Sequence, residues 1–375
     1  MARDVYQRLR RHLDELPAGF PATDSGVELR ILERLFTPEE AELALKVTLI
    51  PETAKVIARR AGLSEDQTRR RLDQMARKGL IFRYQYQGQT HYLAAQFAVG
   101  IWEFHVDQLD QGLIRDFDQY LPHLVDPELW QKAPQMRTIP VQKSLSPEHQ
   151  VMDYERAEEL VRQQKHLLVA PCICRREHRL VGKGCSHPEE SCLVFGAGVD
   201  FYLQMGVGRR IDQAEALDII REAEESGRVL QPSNSRKAVL ICTCCSCCCR
   251  VLQILGKEPN PGELVSSPFR ARLEAETCAA CGACLERCPM EAFTQDHDDT
   301  VHLDPRRCIG CGLCVTTCPT VALSLERKPP QQQRPVPANN LEALLRLARA
   351  RGKLGPLALA RMSLKSKLDR LRAGA

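Results

Sequence analysis

No run of about 18 apolar residues occurs anywhere in this 375-residue sequence, so no segment of it reads as a spanning helix. The first twenty residues, MARDVYQRLRRHLDELPAGF, are charged and lack an apolar h-region, which argues against a secretory signal and for a cytoplasmic protein. Strong net charge is missing too. At +4 it is too small to argue for nucleic acid or a membrane as the main partner, so any basic surface must be local. No nucleophile paired with a base, no phosphate loop and no flavin motif is present, and a substrate reaction by this chain alone is not expected. The Gly-rich stretch GAGVDFYLQMGVGRR lacks the spacing and preceding strand of a dinucleotide site. Cysteine is absent before Cys172 and after Cys318, yet the chain holds 18 of them. In a compartment that keeps thiols reduced, such crowding points to metal or redox chemistry and not to a disulfide framework.

The length allows two or three domains, and the N-terminal part of the cysteine-free first 170 residues reads mainly as helices. Leu29, Leu32, Leu35 and Phe36 form one apolar helix face, followed by Thr37-Pro38-Glu39-Glu40 as the start of another helix. A short helix then ends at Gly62, and Ser64 with Gln67 opens a second that stops at Gly79. Residues 80–94 alternate around a Gln-Gly turn, as a hairpin does. Helix, turn, helix, hairpin resembles the winged helix-turn-helix of MarR-like bacterial regulators over about 50 residues. That resemblance implies base contacts from Gln67, Thr68 and Arg71, with Arg69, Arg70 and Arg77 on phosphates. Glu65, Asp66 and Asp73 share the helix, so a solvated charged face or a protein-docking module competes with DNA binding.

Residues 278–289, CAACGACLERCP, and 308–319, CIGCGLCVTTCP, each read Cys-x2-Cys-x2-Cys-x3-Cys-Pro, repeated at a period of 30. Three close cysteines can reach three irons of a cube, and the fourth of each run ligates the other cluster. On that rule Cys278, Cys281, Cys284 and Cys318 hold one [4Fe–4S] cluster, and Cys308, Cys311, Cys314 and Cys288 hold a second. Zinc knuckles would leave the third cysteine of each run unexplained. Residues 272–327 closely resemble a bacterial dicluster ferredoxin domain. The resemblance implies a compact βαββαβ-like fold that passes single electrons.

Ten cysteines remain: Cys172, Cys174, Cys185 and Cys192, then Cys242, Cys244, Cys245, Cys247, Cys248 and Cys249. KAVLIC reads as a buried strand and CCRVLQILG as a helix start, which places the dense run in a strand-to-helix loop. Arg175, Arg176 and Arg250 would add positive charge there. Three readings are open for these thiols: one or two further iron–sulfur clusters, redox-active thiols, or zinc. Within the first group the expected set is all of Cys172, Cys174, Cys185 and Cys192. The motifs CICR, GCSHPEESC and CCSCCC resemble those of multi-cysteine ferredoxin-like proteins of anaerobic bacteria, although Ser246 stands where Gly is expected.

The expected fold is therefore α+β and multidomain: a helical and winged-helix-like domain over 1–100, a connector over 101–145 and a cysteine-rich α/β domain over 146–270. A 2[4Fe–4S] ferredoxin domain follows over 271–327, then a Pro/Gln-rich linker over 328–340. The basic tail over 341–375, with nine Lys or Arg and two acids, reads as a mobile solvated segment. The expected function is electron transfer to or from a flavin- or metal-containing oxidoreductase. A redox-sensing regulator acting on DNA and a sulfur or metal delivery scaffold are the alternatives.

Overall fold

The computed structural model describes residues 2–146 and 149–374, and the chain divides into two compact units. The first comprises residues 1–126, 200–207 and 344–375, and the second 127–199 and 208–343.

The first unit is built from amphipathic helices with defined caps. Helices α1 (Ala2–Asp14) and α2 (Val27–Leu35) bury Leu9, Ile31 and Leu32. Thr37 then caps α3 (Pro38–Ala44) through a full capping box with Glu40. Helix α4 (Ala54–Ala61) ends where Gly62 adopts a left-handed conformation, and Ser64 caps α5 (Glu65–Arg77) by accepting from the Gln67 amide. The hairpin β1 (Ile81–Tyr86) and β2 (Gln89–Ala94) turns at Gln87-Gly88, both with positive φ. A third segment joins it, since Glu52 and Tyr92 exchange backbone hydrogen bonds at 3.0 and 2.9 Å and the Ala94 amide reaches Thr48 at 2.8 Å. The expected connector contributes a further helix, Gln111–Leu124, which packs on α2. Its Phe117 stacks on Trp102 at 3.8 Å.

The basic tail is not a mobile solvated segment. Residues 340–350 and 356–373 form two helices, with Pro356 at the first position of the second. The later helix packs on α4 within the first unit. Arg60 pairs with both Glu52 and Asp369 at 2.9 Å, and the Ser366 hydroxyl donates to Glu52 at 2.7 Å. Glu52 is 1% exposed, so a buried carboxylate anchors the tail.

The second unit centres on a five-stranded antiparallel sheet. Its strands are β3 (Leu167–Pro171), β4 (Glu190–Phe195), β5 (Arg209–Ile211), β6 (Val229–Pro232) and β7 (Leu240–Cys244), in the order β5-β3-β4-β7-β6. The helix Gln213–Glu225, capped by Asp212, packs against β3 and β6. The helix Ile173–Leu180 follows β3, and Arg250–Lys257 follows β7. The same unit continues into β8 (Phe269–Leu273), β9 (Phe293–Gln295), β10 (Val301–Leu303) and β11 (Leu323–Arg327), paired as β8 with β11 and β9 with β10. One apolar core runs through both parts: Val169, Leu193, Ile241 and Leu252 share it with Met290, Ile309 and Leu313. Polar ties reinforce the join. The Val141 amide donates to the Cys311 carbonyl at 3.0 Å, and Arg307 donates to the Gly256 and Glu258 carbonyls at 3.0 and 3.1 Å.

Candidate metal centres

The duplicated motif folds into two small cavities. One is lined by Cys278, Cys281, Cys284 and Cys318, the other by Cys288, Cys308, Cys311 and Cys314. Each encloses about 320 Å³ of empty space, its open mouth included. Every motif thus sends its fourth cysteine to the cavity of the other. The surrounding residues are small or apolar, among them Ala271, Ala292 and Gly312 around one and Ala279, Gly282 and Ala322 around the other. Backbone N–H groups point at sulfur: Ala271 donates to Cys308 at 3.2 Å and Ala292 to Cys288 at 3.3 Å.

The two cavities differ in exposure. Cys281 is exposed and Cys278 and Cys318 half-buried, whereas Cys311 and Cys314 are buried. Burial, with like-charged neighbouring thiols, pushes Cys311 and Cys314 far above the usual range, and burial also raises Cys284 and Cys288. At Cys318 burial pushes upward, but hydrogen bonds from Thr320, Leu323 and Ala322 outweigh it and lower the pKa. Four sulfurs around an enclosed space, with amides aimed at them, fit a [4Fe–4S] cluster in each cavity.

The ten remaining thiols divide into two groups. On the sheet, Cys192 and Cys242 are cross-strand partners, and Cys244 lies two residues on along the same face. Cys172 sits at the N-cap of Ile173–Leu180 and Cys249 at that of Arg250–Lys257. These residues form one continuous run of thiols, each against the next: Cys192, Cys242, Cys244, Cys249, Cys174, Cys172. For Cys172, Cys242 and Cys244 one neighbouring thiol is the main cause of a strongly raised pKa and burial adds to it, while a second thiol opposes at Cys242 and Cys244. For Cys174 and Cys249 one neighbour pulls down, while the other neighbour and burial push up harder. Both helix N-termini face this run, and their free N–H groups favour anionic sulfur.

The second group is Cys185, Cys245, Cys247 and Cys248, whose sulfurs all lie within 4.8 Å of one another. Burial raises the Cys247 thiol, and burial followed by contact with Cys185 pushes Cys248 up to about 12. At Cys185 burial acts upward, but the His187 amide and the neighbouring thiols bring the pKa below the usual value. The expected foursome of Cys172, Cys174, Cys185 and Cys192 is therefore not one site. The 182–189 loop carries Cys185 away from the other three, to the turn after β7.

Arg175 is 2% exposed, and its guanidinium donates to the Pro188 and Thr243 carbonyls at 2.8 and 2.6 Å and to the Ser191 hydroxyl. Burial opposes its charge, yet the Cys172, Cys245 and Cys244 thiols raise its pKa above the ordinary value. Arg176 and Arg250, expected to add charge beside the thiols, pair at 2.8 Å with Glu189 and Glu177. Arg228, fully buried, is the cation that sequence reading missed, because nothing in GRVLQ distinguishes it from a strand-edge arginine.

Of the expected base contacts on α5, Thr68 is fully buried and its hydroxyl donates to the Ser64 carbonyl at 2.9 Å. It shares the inner face with Leu72, Met75 and Ala76 and cannot reach a base. Gln67 and Arg71 are half-buried, and Arg69 pairs with Asp66.

Residues 277–322 match the family model of a 4Fe-4S dicluster domain. No curated protein and no solved structure matches the chain. No helix among the described residues is long and apolar enough to cross a membrane.

Proposed function

We propose that this chain is an iron–sulfur electron carrier with three clusters in series. Cys278, Cys281, Cys284 and Cys318 hold the first, Cys308, Cys311, Cys314 and Cys288 the second, and four of the six thiols in the run Cys192–Cys242–Cys244–Cys249–Cys174–Cys172 the third. The observation that carries this reading is the pair of cavities, each ringed by four thiols from both motifs. When bound, a cluster of this kind takes up and gives back one electron.

The chain's own residues give the series a direction. Cys281 opens the first cavity to solvent, so a flavin- or metal-containing oxidoreductase meets the protein there. Buried Cys311 and half-buried Cys288 belong to the same core as Cys242, Cys244 and Cys249, which favours passage inward. A compartment that keeps thiols reduced, as the cytoplasm does, suits such a set of free sulfurs.

Residues 48–94 read as a winged helix that docks protein and not DNA. The isolated bridge from Glu52 to Tyr92, beside the hairpin, supports that reading. Buried Thr68, the pairing of Arg69 with Asp66 and the tail helix on α4 leave little of a base-reading face.

The test is iron and acid-labile sulfide on anaerobically purified protein, with EPR during reversible reduction. About twelve irons per chain are expected. About eight would remove the third cluster from the scheme, and fewer would remove the dicluster assignment. A salt-sensitive, oxidation-dependent shift of duplex DNA would favour a redox-sensing regulator instead.

A further inference from the structure

We propose that Cys185, Cys245, Cys247 and Cys248 bind a single zinc ion, separate from every iron–sulfur site of the chain. The size of the thiol group carries the inference. Four ligands at a Zn–S distance of about 2.3 Å form a tetrahedron with edges of about 3.8 Å. The Cys185 and Cys245 sulfurs are 3.9 Å apart, and all four lie within 4.8 Å of one another. A cube of four irons sets its ligand sulfurs farther apart, because each sulfur sits on a different corner. Among the described residues, no other group of three or more cysteines has all its sulfurs within 4.8 Å of one another; the six-thiol run is a chain of neighbours, and the eight dicluster cysteines ring two cavities.

Donor chemistry and charge agree. Four thiolates with no open position make a closed structural zinc site. Such a site carries two net negative charges, and two buried guanidiniums lie beside it. Arg175 and Arg228 both act on Cys245, and Arg228 acts on Cys185 as well. Arg228 is held by Ser226 at 2.8 Å and by Thr243 at 3.3 Å. Buried charge is tolerated when it is paired: Arg228 also pairs with the exposed Glu222 at 3.1 Å, and a dianionic zinc centre would face both arginines from the thiol side.

Three ligands come from one turn, Cys245-Ser246-Cys247-Cys248, and the fourth from a loop 60 residues earlier. The ion would therefore fasten the 182–189 loop to the turn after β7. Six cysteines crowd into 242–249 because two sites share that segment: Cys242, Cys244 and Cys249 turn to the sulfur run, and Cys245, Cys247 and Cys248 to the ion.

The decisive measurement is elemental zinc beside iron on the anaerobically purified full chain, with X-ray absorption at the zinc edge. About one zinc per chain in an all-sulfur shell near 2.3 Å is expected. Cys185→Ser and Cys247→Ser should each lose the zinc while keeping the wild-type iron content. Chain expressed with cobalt in place of zinc should show tetrahedral d–d and sulfur-to-cobalt bands that Cys185→Ser abolishes. Wild-type protein with no zinc, a Cys185–Cys245 disulfide by mass spectrometry, or a mononuclear iron signal from these four residues would each overturn the assignment. So would zinc that survives both substitutions. The iron count tests the cluster scheme separately, so either idea can fail alone.

Discussion

Cys288 belongs to the first cysteine motif by sequence and to the second cavity by position, where it stands with Cys308. The Ala292 amide holds its sulfur at 3.3 Å, and the Ala271 amide holds that of Cys308 at 3.2 Å. Cys288→Ser and Cys308→Ser should therefore perturb the same cluster and give the same reduced-state EPR spectrum. Cys278→Ser and Cys318→Ser should pair in the other. If Cys288→Ser instead resembles Cys278→Ser, each motif binds its own cluster.

Equivalent glycines of the two motifs face different surroundings. Gly282 and Gly312 both have φ of +74°, but a Cβ at Gly312 would come within 2.1 Å of the Ser144 Oγ, while at Gly282 the nearest atom is 3.7 Å away. Each substitution by alanine costs about 1 kcal/mol for the left-handed backbone. Gly312→Ala adds a collision with the segment that holds Cys311. It should lower iron occupancy well below that of Gly282→Ala, as read by iron per chain after identical purification.

Arg175 holds the Pro188 and Thr243 carbonyls and the Ser191 hydroxyl from inside the fold. Arg175→Leu leaves those acceptors buried without a donor, a loss of about 3 kcal/mol. Denaturant unfolding should show the drop, and hydrogen exchange should rise at 182–191 before elsewhere.

Arg60, between Glu52 and Asp369, ties the tail helix to α4. Arg60→Leu strands the buried Glu52 carboxylate, at a cost of about 3 kcal/mol. Ser366→Ala removes one hydrogen bond to that carboxylate, about 1 to 2 kcal/mol. Limited proteolysis should spare residues 356–373 in the wild type and cut them quickly in Arg60→Leu. Equal cutting in both would mean the tail is not held there.

Two histidines of the first unit should make its stability depend on pH near neutrality. Burial lowers the pKa of His12, whose Nε2 lies 3.0 Å from the Val47 carbonyl, and that of His105, whose Nδ1 lies 2.6 Å from the Ile101 carbonyl. In both cases the hydrogen bond only partly offsets burial. The unfolded chain then binds protons more readily than the folded one, so stability is full above the unfolded value of about 6.5 and declines as pH falls below it. Unfolding of the first unit should occur at lower denaturant at pH 5.5 than at 7.5. His12→Gln should flatten that slope; an unchanged slope would exclude His12 as its source.

Local chemistry was legible from the sequence wherever neighbours along the chain decide the outcome. The Thr37 N-cap with Pro38 at the first position, the Ser64 cap and the Gln87-Gly88 turn rest on contacts a few residues apart, while the strand read in KAVLIC lies slightly later, at Leu240–Cys244. The burial of Thr68 was legible as well, since it falls at helical spacing with Leu72 and Met75, but its polar side chain drew attention to DNA. The division of ten cysteines into six and four was not. It depends on Cys192 facing Cys242 across β4 and β7 and on the 182–189 loop reaching the far turn, neither of which leaves a mark in spacing. The docked tail likewise needs Glu52, some 300 residues away, as its partner.

The unequal exposure of the two dicluster cavities has a consequence for damage. An oxidant diffusing from solvent meets the Cys281 side before it meets buried Cys311 or Cys314. Under oxygen the outer cluster would be sacrificed first, like a fuse. The chain would then go electrically silent toward its partner while its interior was still intact, and rebuilding one exposed cube would restore it.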